Sequence, residues 1–89
     1  MVADGTRAVS PEPPGDQVEA LITLLWSKVL ESPDVGVNDD FIEIGGDSVR
    51  MVELVSEMER EFDIELDVFD VVNATTVRQQ AQLIRKATA

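Results

Sequence analysis

From Ser48 onward the apolar residues Met51, Leu54, Val55, Met58 and Phe62 recur three and four positions apart. That spacing places them on one face of an amphipathic helix. Gly45-Gly46 interrupts the chain just before the run, and Asp47 stands where an N-cap acceptor belongs. The pattern predicts a helix from about Ser48 to Phe62, with Ser48 in its first turn. A single apolar stripe of this length must be covered by other elements. The 89 residues leave room for one small domain in which to cover it.

The remaining segments supply partners of the same kind. Asp16 can cap a first helix, with Glu19 three residues on as the reciprocal half of a capping box. Val18, Leu21, Ile22, Leu25, Trp26 and Val29 then form one apolar stripe, and Trp26 is expected in the core or at its edge. Pro33 is expected to stop that helix. Asp34 to Asp47 reads as a long loop, and Val35, Val37, Phe41, Ile42 and Ile44 within it predict that it is pinned to the core. Asp63-Ile64-Glu65-Leu66 leads out of the second helix, with Ile64 or Leu66 turned inward. Asp67 to Val72 is long enough for one or two helical turns, but its β-branched valines require packing to hold it. Thr75 or Thr76 caps a last helix with Val77, Ala81 and Ile84 in its stripe beside Leu83, and Arg85 and Lys86 suit its negative end. The expected fold is all-α, a small four-helix bundle with a short third helix. It occupies residues 16–89, behind a proline- and glycine-containing flexible tail at residues 1–15.

Composition removes several function classes. The chain has no cysteine and no histidine, so disulfides, cysteine-based zinc sites and a Ser-His-Asp arrangement are excluded. Ser48 also lacks the glycine two residues later that a G-x-S-x-G elbow requires. No enzymatic activity is expected from the chain alone. The acidic loop does not match a calcium loop: counted from Asp34, position six is Asp39 and position twelve is Gly45. No metal site is expected. With a net charge of −11, the chain is expected to avoid nucleic acid and anionic membranes and to meet partners with basic patches. No apolar run approaches a membrane span and no signal-peptide pattern is visible, so the expectation is a cytoplasmic monomer.

A serine in the first turn of a helix lies beside backbone N–H groups that have no partner inside the helix, at the positive end of the helix dipole. A phosphate ester on Ser48 would be well placed there. Gly45 and Gly46 remove side-chain bulk from the approach.

At Phe41, Gly45-Gly46-Asp47-Ser48, Val52-Glu53-Leu54-Val55 and Glu57-Met58-Glu59-Arg60-Glu61-Phe62, the chain resembles the carrier proteins and carrier domains of fatty acid, polyketide and nonribosomal peptide synthesis. The likeness runs from about Asp16 to about Lys86, and its G-G-[HD]-S element falls inside four helical segments of the right order. It implies that Ser48 is the attachment site of 4′-phosphopantetheine taken from coenzyme A, with Gly46 and Asp47 shaping that site. The implied partners are a phosphopantetheinyl transferase, an adenylating enzyme or acyltransferase that loads the arm, and downstream synthase or tailoring enzymes. Gly45-Gly46-Asp47-Ser48 is similar to the peptidyl carrier pattern, whereas the acidic run from Glu57 to Phe62 is more similar to free-standing acyl carriers. Val49 stands where the family often has leucine. Arg50 is basic where free-standing fatty acid carriers usually have an acid. Those departures favour a discrete carrier of natural-product biosynthesis over a fatty acid synthesis carrier. A third reading, a small acidic interaction or inhibitor protein without a prosthetic group, accounts for the charge but not for the glycine pair.

The face of the second helix opposite its core stripe carries Val49, Glu53, Ser56 and Arg60, flanked by Val52, Arg50 and Glu57. Exposed apolar residues among charges suit transient docking. With the resemblance, this face is the expected recognition surface for partner enzymes.

Overall fold

The computed structural model describes residues 15–88. These form α1 (Gln17–Leu30), α2 (Ser48–Phe62), α3 (Val68–Val72) and α4 (Val77–Thr88), with no strand among them. The expected tail lies outside the described residues except for Gly15. The all-α bundle with a short third helix is as the apolar spacing predicts. No helix among the described residues is long and apolar enough to cross a membrane.

Each helix begins where a side-chain oxygen is available to satisfy an N–H group that the helix leaves open. Asp16 caps α1 by accepting from the Glu19 N–H at 2.9 Å. The expected capping box is only half made, because the Glu19 carboxylate accepts from Gly15 N–H at 2.7 Å, one residue earlier than the cap itself. Asp67 caps α3 through Phe69 N–H. At α4, Thr76 and Gln79 form a full reciprocal box: Thr76 Oγ1 accepts from Gln79 N–H and Gln79 Oε1 accepts from Thr76 N–H. Thr76 is therefore the cap, not Thr75. α1 ends at Leu30, before Pro33 is reached, and Glu31 turns into the left-handed region at φ 55° with its N–H donated to Ser27 O.

α1 packs against α2 and α4, and α3 closes the bundle between α2 and α4. Met51, Leu54, Val55 and Met58 of α2 are buried as the periodicity predicts, with Phe62 half-buried at the end of the stripe. Ile22, Leu25, Trp26 and Val29 face them from α1, and Val77, Ala81 and Ile84 from α4. Val18 and Leu21 sit half-buried at the edge of the core. Ile64 and Leu66 both pack partly against it, and Glu59 of α2 holds their segment by accepting from Leu66 N–H at 2.8 Å.

The loop between α1 and α2 is pinned as expected, at Val35, Val37 and Phe41, all buried. Its backbone is also tied to the start of α4, with Phe41 N–H donated to Thr75 O at 2.9 Å and Arg78 N–H to Val37 O at 3.1 Å. Ile42 differs from expectation and faces solvent. Phe41 takes the inward position, and the turn that begins there sends the next side chain outward.

Two buried polar residues lie where an apolar pattern predicts none. Gln80 is fully buried on α4: its Oε1 accepts from Trp26 Nε1–H at 2.8 Å and its Nε2 donates to Ala74 O at 2.8 Å. Glu19, also buried, pairs across the α1–α4 contact with Arg78 at 3.7 Å and Arg85 at 4.0 Å. Arg85 reaches Asp16 as well.

Candidate functional site at the start of α2

The turn before α2 is built on Phe41. Its ring meets Trp26 edge-on, with centroids 4.9 Å apart at 81°. Such a pair contributes about 0.5–1.5 kcal/mol beyond the area it buries. The carbonyl of Phe41 accepts from Gly46 N–H at 2.8 Å. The two glycines serve different physical needs. Gly45 adopts φ +117°, a backbone conformation that side chains resist, with open space where a Cβ would stand. Gly46 has no such angle. A Cβ there would lie 2.3 Å from the Phe41 ring and 2.6 Å from its carbonyl oxygen.

Asp40 closes the same turn. Its carboxylate accepts from Ile42 N–H at 2.9 Å and from Glu43 N–H at 3.2 Å. The Glu43 N–H and then the Thr75 hydroxyl hold the Asp40 carboxyl below its ordinary value; desolvation works against them, and the Ile42 N–H adds a smaller lowering effect. Thr75 thus serves the loop with both its backbone carbonyl and its side chain.

Beyond the turn, Asp47 caps α2 by accepting from Arg50 N–H at 2.9 Å, and its carbonyl accepts from Met51 N–H at 2.8 Å. The N–H groups of Ser48 and Val49, the first two of the helix, have no partner among the described residues. Ser48 is exposed, and no acidic side chain occupies the first turn of α2, whereas Glu19 occupies that of α1. A hydroxyl is therefore presented to solvent at a helix end that favours negative charge.

The outer face of α2 forms one wall of a groove of about 780 Å³ whose other wall is the C-terminal end of α1. Val49, Arg50, Val52, Glu53 and Glu57 all line it, together with Ser56, Asp47, Lys28, Val29 and Glu31. Val49 and Val52 are 68% and 56% exposed, far outside the core. Three of the expected surface residues are engaged. Arg50 is half-buried and donates to the Val29 carbonyl, and Glu57 pairs with Lys28 at 3.1 Å and Arg60 at 3.5 Å. Arg60 and Ser48 do not line the groove. Nothing in the sequence marks Lys28 and Glu31 as neighbours of Glu53, because only the crossing of α1 over α2 joins them. Phe69, 73% exposed on α3, is the largest apolar side chain left in solvent among the described residues, beside Val72. Its position two residues before the inward Val71 was the available signal. Among the described residues no group of three or more carboxylates is placed to hold a metal ion.

The bundle and its presented serine define a small helical carrier. Residues 20–84 match the family described as "Phosphopantetheine attachment site", and the chain belongs to that family. The prosthetic group of that family is phosphopantetheine, as the resemblance implied. The chain is 34% identical over 85 residues to bacitracin synthase 2 of Bacillus licheniformis, an alignment covering 96% of the chain but only 3% of the synthase. It is similar in fold to an active-site mutant peptidyl carrier protein in solution, at TM-score 0.83 and 25% identity over 94% of this chain and 92% of that one. It is also similar to a chain in the structure of the phosphopantetheine transferase Sfp in complex with coenzyme A and a peptidyl carrier protein. There the TM-score is 0.80 and the identity 25%, over 85% of this chain and 97% of that one.

Proposed function

We propose that Ser48 carries a 4′-phosphopantetheine arm and that the chain serves as a peptidyl or acyl carrier of natural-product biosynthesis. One observation carries this reading: Ser48 presents its hydroxyl at the open end of α2, beside two N–H groups with no partner among the described residues and no first-turn acid. A phosphate ester at that position gains from the helix end instead of being repelled. Gly46 and Asp47 fit the same group, the first by keeping the turn tight against Phe41, the second by directing its carboxylate onto Arg50 N–H.

In a reaction catalysed by a separate phosphopantetheinyl transferase, the Ser48 hydroxyl oxygen gives up its proton and forms a phosphodiester with the phosphopantetheinyl phosphorus of coenzyme A, whose pyrophosphate bond breaks to release adenosine 3′,5′-bisphosphate. When bound, the arm supplies a terminal thiol that holds an acyl or aminoacyl group as a thioester. The chain, which has no histidine or cysteine, acts as a substrate and tether and not as an enzyme. Tethering raises the effective concentration of cargo at each partner site. The loading partner is an adenylating enzyme or acyltransferase, and later partners are synthase or tailoring enzymes, all in the cytoplasm. The match to bacitracin synthase 2 supports the peptidyl type, and Arg50, basic where free-standing fatty acid carriers usually have an acid, weakens a fatty acid role.

Partner enzymes dock on the outer face of α2 at Val49, Val52 and Glu53, with Glu57 and Arg60 at its margin. Arg50 contributes mainly by bracing α2 against the α1 carbonyl of Val29.

Incubation with coenzyme A and a broad-specificity transferase tests the assignment by intact mass. A gain of one phosphopantetheinyl unit is expected, and its loss in Ser48→Ala. A Ser48→Ala protein that is still modified would overturn it.

A further inference from the structure

We propose that Gln80 on α4 is a positioning residue for Ser48, acting through Trp26 and Phe41 on the turn that presents the serine. The proposal rests on Ser48 being the attachment site. Gln80 is a fully buried polar side chain in a small core, and it makes hydrogen bonds at both ends of its amide. Each end leads to Phe41. Through Oε1 it holds the Trp26 indole N–H, and the indole ring packs edge-on against the Phe41 ring. Through Nε2 it holds the Ala74 carbonyl, and the carbonyl of the next residue, Thr75, accepts from Phe41 N–H.

Phe41 in turn has little freedom relative to the site. Its ring occupies the space that a Cβ at Gly46 would need, and its carbonyl accepts from Gly46 N–H. Asp47 and Ser48 follow directly. A tilt of the indole therefore moves the Phe41 ring, and the turn before α2 must move with it, because a close-packed interior passes displacement on. A merely apolar core residue at position 80 would fill the volume but would leave the indole N–H and the Ala74 carbonyl without partners. Sites of this kind keep their geometry through the groups that lock the supporting side chains.

The test uses Gln80→Met, which keeps volume and removes both hydrogen bonds, with transferase kinetics and the backbone amide resonances of Gly46 and Ser48 as paired readouts. In folded Gln80→Met, kcat for arm transfer is expected to fall about tenfold, since misplacement of a reacting group costs up to about a hundredfold. KM is expected to stay within about twofold, since the face of α2 is untouched. The Gly46 and Ser48 resonances are expected to shift. Trp26→Phe removes the same hydrogen bond from the other side and is read in the same way should Gln80→Met fold too weakly. The double variant Gln80→Met/Trp26→Phe is expected to lose less than the two single effects added together, since both singles break the Gln80–Trp26 bond. Wild-type kcat or unshifted Gly46 and Ser48 resonances in a folded variant, with only melting lowered, would make Gln80 a plain stability residue and overturn the proposal. So would fully additive effects in the double variant. A failure of the Ser48 assignment shows itself separately, as a wild-type protein that gains no mass or gains it elsewhere, while the resonance readout still decides the role of Gln80.

Discussion

A Cβ at Gly46 would lie 2.3 Å from the Phe41 ring and 2.6 Å from the Phe41 carbonyl oxygen. The second contact is with backbone, so a smaller side chain at position 41 cannot relieve it. Gly46→Ala must move the turn, and overpacking of this kind costs about 1–3 kcal/mol. We expect Gly46→Ala to lower stability by that order and to slow arm transfer. We expect Phe41→Leu/Gly46→Ala to show no recovery of transfer. Recovery in the double variant, measured by intact mass over time, would mean that the ring alone sets the requirement for glycine.

Burial and presentation separate along α2. Leu54 is fully buried, so Leu54→Ala should cost about 2–5 kcal/mol in denaturant unfolding. Ser48 is exposed and makes no side-chain contact that holds the fold, so Ser48→Ala should stay within about 0.5 kcal/mol of wild type while losing the arm. Equal stability of Leu54→Ala and wild type would refute the orientation of the helix.

The proposed docking on the outer face of α2 has a different readout. Val52 is exposed and Glu53 makes no ion pair with the described residues. Val52→Asp should slow transfer to a cognate enzyme while helicity and melting hold. Glu53→Lys should slow association at low salt, with a smaller difference at high salt, because exposed charges steer encounter and are screened. If both variants are served at wild-type rates, the surface lies elsewhere, and exposed Phe69 and Val72 on α3 become the first place to look.

Acid should loosen the turn before it unfolds the bundle. The Glu43 N–H, the Thr75 hydroxyl and the Ile42 N–H hold the Asp40 carboxyl below its ordinary value of 3.8. A carboxyl lowered on folding stabilises the native state fully above its unfolded value, and that contribution is lost as pH falls through the lower folded value. Amide exchange at Ile42 and Glu43 should therefore accelerate, relative to the α2 core, as pH drops below about 4. In Asp40→Asn that acid-dependent step should be absent at these two residues. A step of unchanged size in Asp40→Asn would assign it to another group.

The chain order of the helices, the core face of α2 and the place of Ser48 were legible because each depends on local spacing. A stripe at three and four residues is a property of one helix, and a glycine pair followed by an acid and a serine is a property of one turn. Resemblance at those residues carried the family as well. What the sequence left open is what only contact between distant segments decides. Thr75 and Thr76 are equivalent caps in sequence, until the Thr75 carbonyl is taken by Phe41 and its hydroxyl by Asp40. Ile42 and Phe41 are adjacent apolar residues, and the position beside Trp26 is filled by Phe41 alone. Nothing in the sequence marks Gln80 or Glu19 as buried, because a polar side chain ordinarily stays in water; the burial of Gln80 depends on Trp26, 54 positions away, and that of Glu19 on the α4 arginines. The groove along α2 has no sequence counterpart, since its second wall is the end of α1. Periodicity determines which face of a helix turns inward. Tertiary packing decides which polar groups can follow it, because burying them is tolerable only where another segment supplies the hydrogen bond.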